Sequence, residues 1–406
     1  MQLRPYQEEG VRWLSKSQRK TQLLADAPGL GKSAQALSAA NAIKATSLLI
    51  IAPASVTGVW ERECAAWLTI AGKVSILGSE FKVTRITITS YDRAVSHYDK
   101  LKDVGFEMVV ADEGHMIKTP TAKRTKAVIN LLYRAKRKAL VLTGTPVVNR
   151  PIEIFGLLRN LAPDVIDGMT LTQFGNRYCG PTLDWNGNPE YKGSCNEGEL
   201  GDRLRKSGFM LRRSKAEVLA ELPDKQYRIV PVAAAASTAE HLSTNLAELG
   251  LEKAAGSYSY ISDLLAGGVE KVVIFAKHTD VIRELERLLH WAHPVVIDGA
   301  VPQQHRTERV KTFQEDPQCR AFIGQIHAAG TGLTLTAACD VVMVETDWAP
   351  GMNTQCEDRC HRFGQKNAVT IHYMISNEDT IDSVVSRVVA SKESKISAIM
   401  DEKEIW

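Results

Sequence analysis

Short, unbroken apolar runs recur along the first third of the chain, and each is followed by a longer stretch with helical spacing. The runs at 22–25 (Gln22-Leu23-Leu24-Ala25), 47–52, 107–111 and 138–142 are too short for helices. They also lack the polar alternation of a strand with one wet face, so they predict strands buried on both faces. Residues 85–91 alternate apolar and polar and predict a further strand. Helices are expected over 34–44, which is alanine-rich, and over 56–68, which contains Trp60 and Glu63. An earlier helix is expected from Pro5, with Val11 and Leu14 on its apolar face. Buried strands separated by helices predict a parallel, doubly wound α/β sheet.

The alternation stops over 149–225. There 152–160 is apolar and helical, and 180–198, rich in Gly, Asn and Pro, predicts an exposed loop. Residues 209–215 read as an amphipathic basic helix, followed by a turn at Leu222-Pro223-Asp224-Lys225. Residues 233–267 are alanine-rich and helical. The strand–helix pattern then resumes, with strands at 271–276, 294–297, 321–324 and 341–344 and helices at 279–289 and 307–313. This predicts a second sheet of the same class. Residues 381–406 read as an amphipathic helix ending at Trp406, bracing the rest.

A length of 406 residues suits two or three domains rather than one. Charge is almost balanced, 50 Lys+Arg against 47 Asp+Glu, which excludes a pervasively basic protein but not a local basic groove. The seven cysteines are scattered and odd in number, so a secreted disulfide framework is not expected. Cys356 and Cys360, beside His361, are spaced like residues one helical turn apart. Without a paired Cys-x-x-Cys they read as ordinary helix cysteines rather than metal ligands. No apolar run reaches about 18 residues and Met1-Gln2-Leu3-Arg4-Pro5 is not a signal peptide, so a soluble protein of a reducing compartment, away from any membrane, is expected.

The candidate chemistry begins at Asp26-Ala27-Pro28-Gly29-Leu30-Gly31-Lys32-Ser33, between a predicted strand and a predicted helix. That context suits a phosphate-binding loop. Glycines admit close backbone approach, and the helix N-terminus faces the anion. Lys32 would reach the β- and γ-phosphates of ATP and the Ser33 hydroxyl would hold Mg²⁺. Asp26 stands where the general pattern has glycine. Asp112-Glu113-Gly114-His115 ends a buried strand about 80 residues further on. Ligands bind beyond the carboxyl ends of such strands. Asp112 would hold Mg²⁺, partly through water, and Glu113 would orient and deprotonate the attacking water. Gln7, with an amide that both donates and accepts, would read the adenine edge. Thr143-Gly144-Thr145-Pro146 would relay the state of the γ-phosphate. Arg359 and Arg362, three apart, are expected on one helix face, where planar guanidinium groups suit a developing phosphate charge.

These motifs resemble those of the Swi/Snf-type DNA translocases, within the superfamily-two helicase-like ATPases. Arg4-Pro5-Tyr6-Gln7 resembles the family's glutamine motif. Asp26 to Ser33 is similar to its Asp-Glu-Met-Gly-Leu-Gly-Lys-Thr, so Asp26 matches the family where it breaks the general rule. Asp112-Glu113-Gly114-His115 resembles Asp-Glu-Ala-His with glycine for alanine, and Leu142-Thr143-Gly144-Thr145-Pro146 resembles Leu-Thr-Gly-Thr-Pro. Residues 355–365 follow the family's Gln-x-Glu-Asp-Arg-x-His-Arg-x-Gly-Gln. Ala328-Ala329-Gly330 and the His372-Tyr373 context look most like the annealing-helicase branch.

The resemblance implies two RecA-like parallel-sheet lobes with a helical insertion between them. Lobe one would span 1–148, a helical protrusion and linker 149–225, lobe two 226–380 and a helical brace 381–406. ATP and Mg²⁺ are the implied cofactors. The nucleotide site would comprise Arg4, Gln7, Pro28, Gly29, Leu30, Gly31, Lys32, Ser33 and Gly332, and catalysis would fall to Asp112, Glu113, Arg359 and Arg362. Double-stranded or branched DNA is the implied partner, contacted through its phosphates without base reading. A compact chain of this kind suggests a bacterial or viral cytoplasmic, nucleoid-associated protein, with the nucleus as the alternative. Three rival readings stay open: a strand-separating helicase, for which the sequence offers no candidate wedge, a chromatin remodeller, and a non-catalytic ATP-dependent DNA-binding switch.

Overall fold

A computed structural model describes residues 2–147, 150–219, 221–223, 225–232, 245–329 and 333–376. Gly332, with Gly330 and Thr331 beside it, lies outside the described residues, as do Asp224, residues 233–244 of the alanine-rich stretch and the whole 381–406 brace. Contacts divide the chain into two units, the first running to Val218 and the second starting at Leu219.

In the first unit, β1 (Thr21–Leu24), β2 (Leu48–Ala52), β3 (Val74–Ile76), β4 (Ile86–Ser90), β5 (Met108–Asp112) and β6 (Lys138–Leu142) lie in one sheet. Two short strands, β7 (Thr182–Leu183) and β8 (Pro189–Glu190), form a separate antiparallel hairpin. A last strand, β9 (Met210–Leu211), joins the main sheet at its edge, giving the order β3-β4-β2-β5-β6-β1-β9 with every pair parallel. Strand side chains alternate between two cores. Leu23, Leu49, Ile51, Val109 and Val141 face one, and Leu24, Ile50, Val110, Leu140 and Leu142 the other. This double burial is why the strands read as unbroken apolar runs. Helix α1 (Pro5–Lys16) packs closely on α2 (Lys32–Ala42), since a Cβ on Gly10 would lie 1.9 Å from Gln35 Oε1.

The second unit repeats the plan. Its strands are β10 (Lys225–Val232), β11 (Val272–Ala276), β12 (Val295–Ile297), β13 (Ala321–Gln325), β14 (Asp340–Met343) and β15 (Val369–Ser376). They form a parallel sheet in the order β10-β15-β14-β11-β13-β12. Two parallel-sheet α/β lobes are therefore present, as the pattern of apolar runs predicts.

Three local expectations are corrected. Residues 209–213 do not form a basic helix. Met210 and Leu211 pair with Leu23 and Leu24, because Phe209 and Met210 are fully or almost fully buried and a sheet edge satisfies their backbone groups. The Gly/Asn/Pro-rich stretch at 180–198 is not loop throughout; it contains the β7–β8 hairpin and, from Glu197, the start of a helix reaching Lys206. Arg359 and Arg362 do not share a helix face: the helix Pro350–Glu357 ends before them, and 358–362 are turns and bends. Cys356 is on that helix and Cys360 is beyond it. Both are free and buried in the apolar core, and burial raises both thiols well above their usual range, so they are inert packing residues. Among the described residues no helix is long and apolar enough to cross a membrane.

Ile50, fully buried in the middle of β2, tests the two-sided core. Ile50→Ala is expected to destabilise the first unit by about 2–5 kcal/mol, through lost transfer energy and a residual cavity. Urea unfolding reads this directly; a cost below about 1 kcal/mol is incompatible with a strand covered on both faces.

Candidate active site

The loop between β1 and α2 carries the phosphate-site geometry. Gly29 and Gly31 have φ of 86° and 71°, left-handed values that favour glycine, and Gly31 caps α2. A Cβ on Gly31 would lie 2.4 Å from Gln7 Nε2, so the cradle admits only glycine while Gln7 stays in place. Gln7 Nε2 donates to Leu30 O at 3.2 Å, and Gln7 Oε1 accepts from Arg4 N at 2.9 Å. Tyr6 Oη also donates to Leu30 O. The first turn of α1 thus lies against the loop, with both ends of the Gln7 amide engaged by the protein. Pro28 touches the other side: a Cβ on Gly144 would lie 2.7 Å from Pro28 Cγ. Gly144 thus sits directly on the phosphate loop, and Thr143 Oγ1 accepts from Thr145 N at 3.1 Å within the same turn.

Asp26 is fully buried beneath the loop, and Arg213 from the strand-edge segment meets it with two arms, Nε to Oδ1 at 3.0 Å and Nη2 to Oδ2 at 2.5 Å. Arg213 Nη2 also donates to Gln35 Oε1 (2.8 Å), Gln35 Nε2 donates to Asp26 Oδ2 (3.0 Å), and Arg213 Nη1 donates to Tyr6 O. Arg212 spans Ala25 O and Gly144 O at 2.6 and 3.1 Å. The backbone continues the clasp, with Ala25 N donating to Leu211 O and Ala27 N to Arg213 O. Asp26 is therefore a structural anchor, and the Arg212-Arg213 pair binds the loop from nearly 190 residues away in sequence. Sequence reasoning noted both segments but not their meeting. The signal was there: an acid where glycine is the rule needs a cation if it is buried.

The two acids stand at the carboxyl end of β5. Asp112 Oδ2 accepts from Trp60 Nε1 at 2.8 Å and Oδ1 from Glu113 N at 2.9 Å. Tyr91 Oη donates to Asp112 O at 2.5 Å. Glu113 has a φ of 53°, an uncommon left-handed conformation for a non-glycine residue, and its Oε2 lies 3.3 Å from His115 Nδ1. Burial and the neighbouring Glu113 charge raise Asp112 to about 6, opposed by the Trp60 indole and by Lys32. Lys32 responds in kind. Burial lowers its pKa, and Glu113, Asp26 and Asp112 work against that. Its ammonium donates to Asp26 O at 2.7 Å and Ala27 O at 3.3 Å. The loop lysine and both acids thus lie within one another's field. Gly114 explains its own departure from alanine: a Cβ there would lie 2.3 Å from Val141 Cγ1.

These residues fit Mg·ATP. The glycine cradle suits phosphate oxygens, Ser33 in the first turn of α2 would offer a hydroxyl ligand, and Asp112, raised by burial and by the adjoining Glu113, has a negative charge that a divalent cation would offset. Arg4 caps α1 through its backbone, so its place in the site is beside Gln7.

In the second unit, the residues around the two arginines serve mostly to hold one another. Lys225 Nζ lies 2.8 Å from both Glu357 Oε2 and Asp358 Oδ1. Burial works against its charge, but Asp358 and Glu357 outweigh burial and hold its pKa well above the ordinary value. Tyr373 Oη donates to Glu357 Oε1 at 2.6 Å, and His361 Nε2 lies 2.8 Å from Pro223 O. Gln365 ties Ala338 O at 2.8 Å. Arg359 is 2% exposed and donates to Gln355 O and Leu333 O. Arg362 is partly exposed, with Nε on Asp358 O and Nη1 3.3 Å from Thr334 Oγ1. The two arginines therefore differ in kind, one set into the core and the other at the surface beside exposed Phe363.

Comparisons with known proteins give the family. Residues 6–259 match the SNF2-related domain and residues 256–364 the helicase conserved C-terminal domain. The DNA annealing helicase and endonuclease ZRANB3 of Bos taurus is 31% identical over 458 residues, covering 100% of this chain and 42% of the relative. The SWI/SNF-related matrix-associated actin-dependent regulator of chromatin subfamily A-like protein 1 homolog of Caenorhabditis elegans is 33% identical over 431 residues, covering 96% of this chain and 60% of the relative. The chain thus spans about half the length of these curated relatives. A solved Sulfolobus solfataricus SWI2/SNF2 ATPase core in complex with dsDNA covers 99% of this chain and 98% of its own, with 22% identity and a TM-score of 0.48.

Two measurements probe the site's construction. Arg213→Ala leaves the Asp26 carboxylate buried without its bidentate partner and is expected to destabilise the first unit by about 3–5 kcal/mol. Asp26→Asn combined with Arg213→Ala should cost much less than the sum of the single changes, and additive costs in that double-mutant cycle would reject the latch. Gly114→Ala should cost about 1–3 kcal/mol by overpacking against Val141, and adding Val141→Ala should make that alanine nearly neutral. Equal costs of Gly114→Ala in both backgrounds would show that Val141 is not the obstacle.

Proposed function

The chain belongs to the SNF2-related family of helicase-like ATPases, and on that premise we propose that it is a DNA-stimulated ATPase that translocates along double-stranded DNA. The observation that carries the ATPase part is the convergence of the glycine cradle, Lys32 and the Asp112–Glu113 pair at the carboxyl edge of one parallel sheet. Lys32 neutralises the β- and γ-phosphates, and Gln7 selects the base by exchanging its protein hydrogen bonds for the adenine edge. Glu113 orients the attacking water and takes its proton. Ser33 and Asp112 would hold Mg²⁺, which supplies charge neutralisation on the transferring phosphoryl group. Arg362 is the arginine finger and buried Arg359 is a positioning residue, which holds the turn through Leu333 O. Gly332 is assigned to the nucleotide site on family resemblance alone.

DNA is the track, held by its phosphates. The likeness to the Bos taurus DNA annealing helicase and endonuclease supports branched or partly unpaired DNA as a substrate of this chain too. The Thr143–Thr145 segment supports coupling, because it touches the phosphate loop through Pro28 and lies under Arg212.

Glu113→Gln should keep ATP bound and reduce turnover by about 10²–10⁴-fold. Arg362→Ala should hold nucleotide affinity within a few-fold and cut DNA-stimulated turnover on the order of 10³-fold, with Arg362→Lys rescuing poorly because an ammonium lacks the planar fork. Parental turnover in Arg362→Ala would remove the finger from the mechanism. Wild-type turnover should rise with duplex DNA more than with a single strand, and the stimulation should fall as salt rises, because phosphate contacts release counterions. Turnover indifferent to DNA at low salt would reject the translocase reading.

A further inference from the structure

The acid at the end of β5 is held by two aromatic residues to which the nucleotide site gives no role. Trp60 lies on α3 (Thr57–Trp67), the helix that follows β2. β2 is the parallel neighbour of β5, with Ile51 opposite Ala111, so the chain leaves β2 beside the strand end that carries Asp112. The Trp60 ring is 2% exposed and belongs to the core that contains Ala52, Val56, Cys64 and Leu142. From there its Nε1 donates to Asp112 Oδ2 at 2.8 Å, while Glu113 N donates to Oδ1 at 2.9 Å. Each carboxylate oxygen takes one N–H, which fixes the plane of the group and leaves further lone-pair sites on both oxygens. Tyr91, buried like Trp60, fixes the backbone of the same residue, its Oη donating to Asp112 O at 2.5 Å.

A buried indole needs an acceptor for its N–H, and any carbonyl would serve. The information lies in which acceptor is used. Elsewhere in this protein a buried carboxylate is given a cation: Arg213 for Asp26, and Lys225 for Glu357. Asp112 is given an indole and a backbone amide instead, and among the described residues no cation pairs with it. The Lys32 ammonium, although within its field, donates to Asp26 O and Ala27 O. Neutral donors fix the direction of a carboxylate without cancelling its charge. A ligand for Mg²⁺ needs both, because this small cation demands near-ideal octahedral geometry.

We propose that Trp60 is a positioning residue for the metal-binding acid, its N–H setting the orientation in which Asp112 meets Mg²⁺. The proposal rests on the ATPase reading above and deepens it, because it makes metal affinity depend on a helix that carries none of the nucleotide-site residues.

The test uses the full chain and a fluorescent ADP analogue, whose binding is measured while Mg²⁺ is titrated and again in EDTA. ATP turnover is followed over the same Mg²⁺ range. Trp60→Phe keeps a ring in the core and removes the N–H. It should raise the Mg²⁺ midpoint about 10- to 100-fold in binding and in turnover, the usual effect of losing a residue that orients a metal ligand. Affinity in EDTA should be unchanged, and saturating Mg²⁺ should restore most of the turnover, which a packing defect would not allow. In an Asp112→Asn background, Trp60→Phe should move the midpoint no further. A parental midpoint in Trp60→Phe overturns the proposal and leaves the hydrogen bond to packing alone. An equal loss of affinity in EDTA also overturns it, because the effect would then not pass through the metal. Should Trp60→Phe not fold, the unsubstituted chain carries the test. Among its seven tryptophans, the Trp60 indole ¹⁵N–H resonance, assigned by replacing the other six singly, should move on adding Mg·ADP and not on adding ADP in EDTA. An unmoved resonance overturns the proposal. If wild type binds the analogue no better with Mg²⁺ than in EDTA and does not hydrolyse ATP, the ATPase reading itself fails, and that arm tells the two failures apart.

Discussion

Burying the Asp26 carboxylate beneath the phosphate loop is tolerable only because Arg213 meets it with two arms while Gln35 and the Tyr6 carbonyl take the remaining bonds. A lone buried carboxylate would neutralise or force the loop open. With the pair in place, four separate pieces of chain are fixed to one another: α1, the loop, α2 and the edge strand β9. Gln7 and the glycine cradle owe their positions to that junction. The loop with its two left-handed glycines is thus held from behind by charge-assisted bonds.

The second unit uses the same device at its own motif. Lys225 follows the Leu222-Pro223 turn, and Glu357 and Asp358 end a helix. Their pairing closes a connection of some 130 residues. Tyr227 and Tyr373 complete the hydrogen bonds of Glu357. Most polar residues of the arginine motif are accounted for by this packing, which separates a scaffold from a working end. Arg359 belongs to the scaffold by its burial and its carbonyl contacts, whereas Arg362 extends to the surface of its unit.

Electrostatics in the first unit follow from the same economy of space. Asp112 and Lys32 share a partly dry region with Glu113 and Asp26. Burial and Glu113 raise Asp112, and the acids oppose the lowering of Lys32 by burial. Such mutual perturbation is typical of sites built to take a charged ligand, because the ligand then supplies the missing counter-charge. The close Gly114–Val141 approach shows how tightly the acids are placed: one added methyl group reaches the neighbouring strand.

The sequence by itself determined the class of fold, because strands covered on both faces must be continuously apolar and their helices must alternate with them. It also determined the local chemistry of the nucleotide site, since a glycine loop between strand and helix and an acid pair at a strand end are short-range patterns. Only the tertiary structure decided what depends on partners far away in the chain. Asp26 looked like a defect in the loop until Arg213 stood opposite it. The stretch 209–213 looked like a basic helix because local propensity cannot see that β1 needs a neighbour. Arg359 and Arg362 seemed equivalent because their spacing says nothing of where a helix ends. In each case the deciding interaction joins residues whose separation, or whose backbone path, leaves no periodic trace in the sequence.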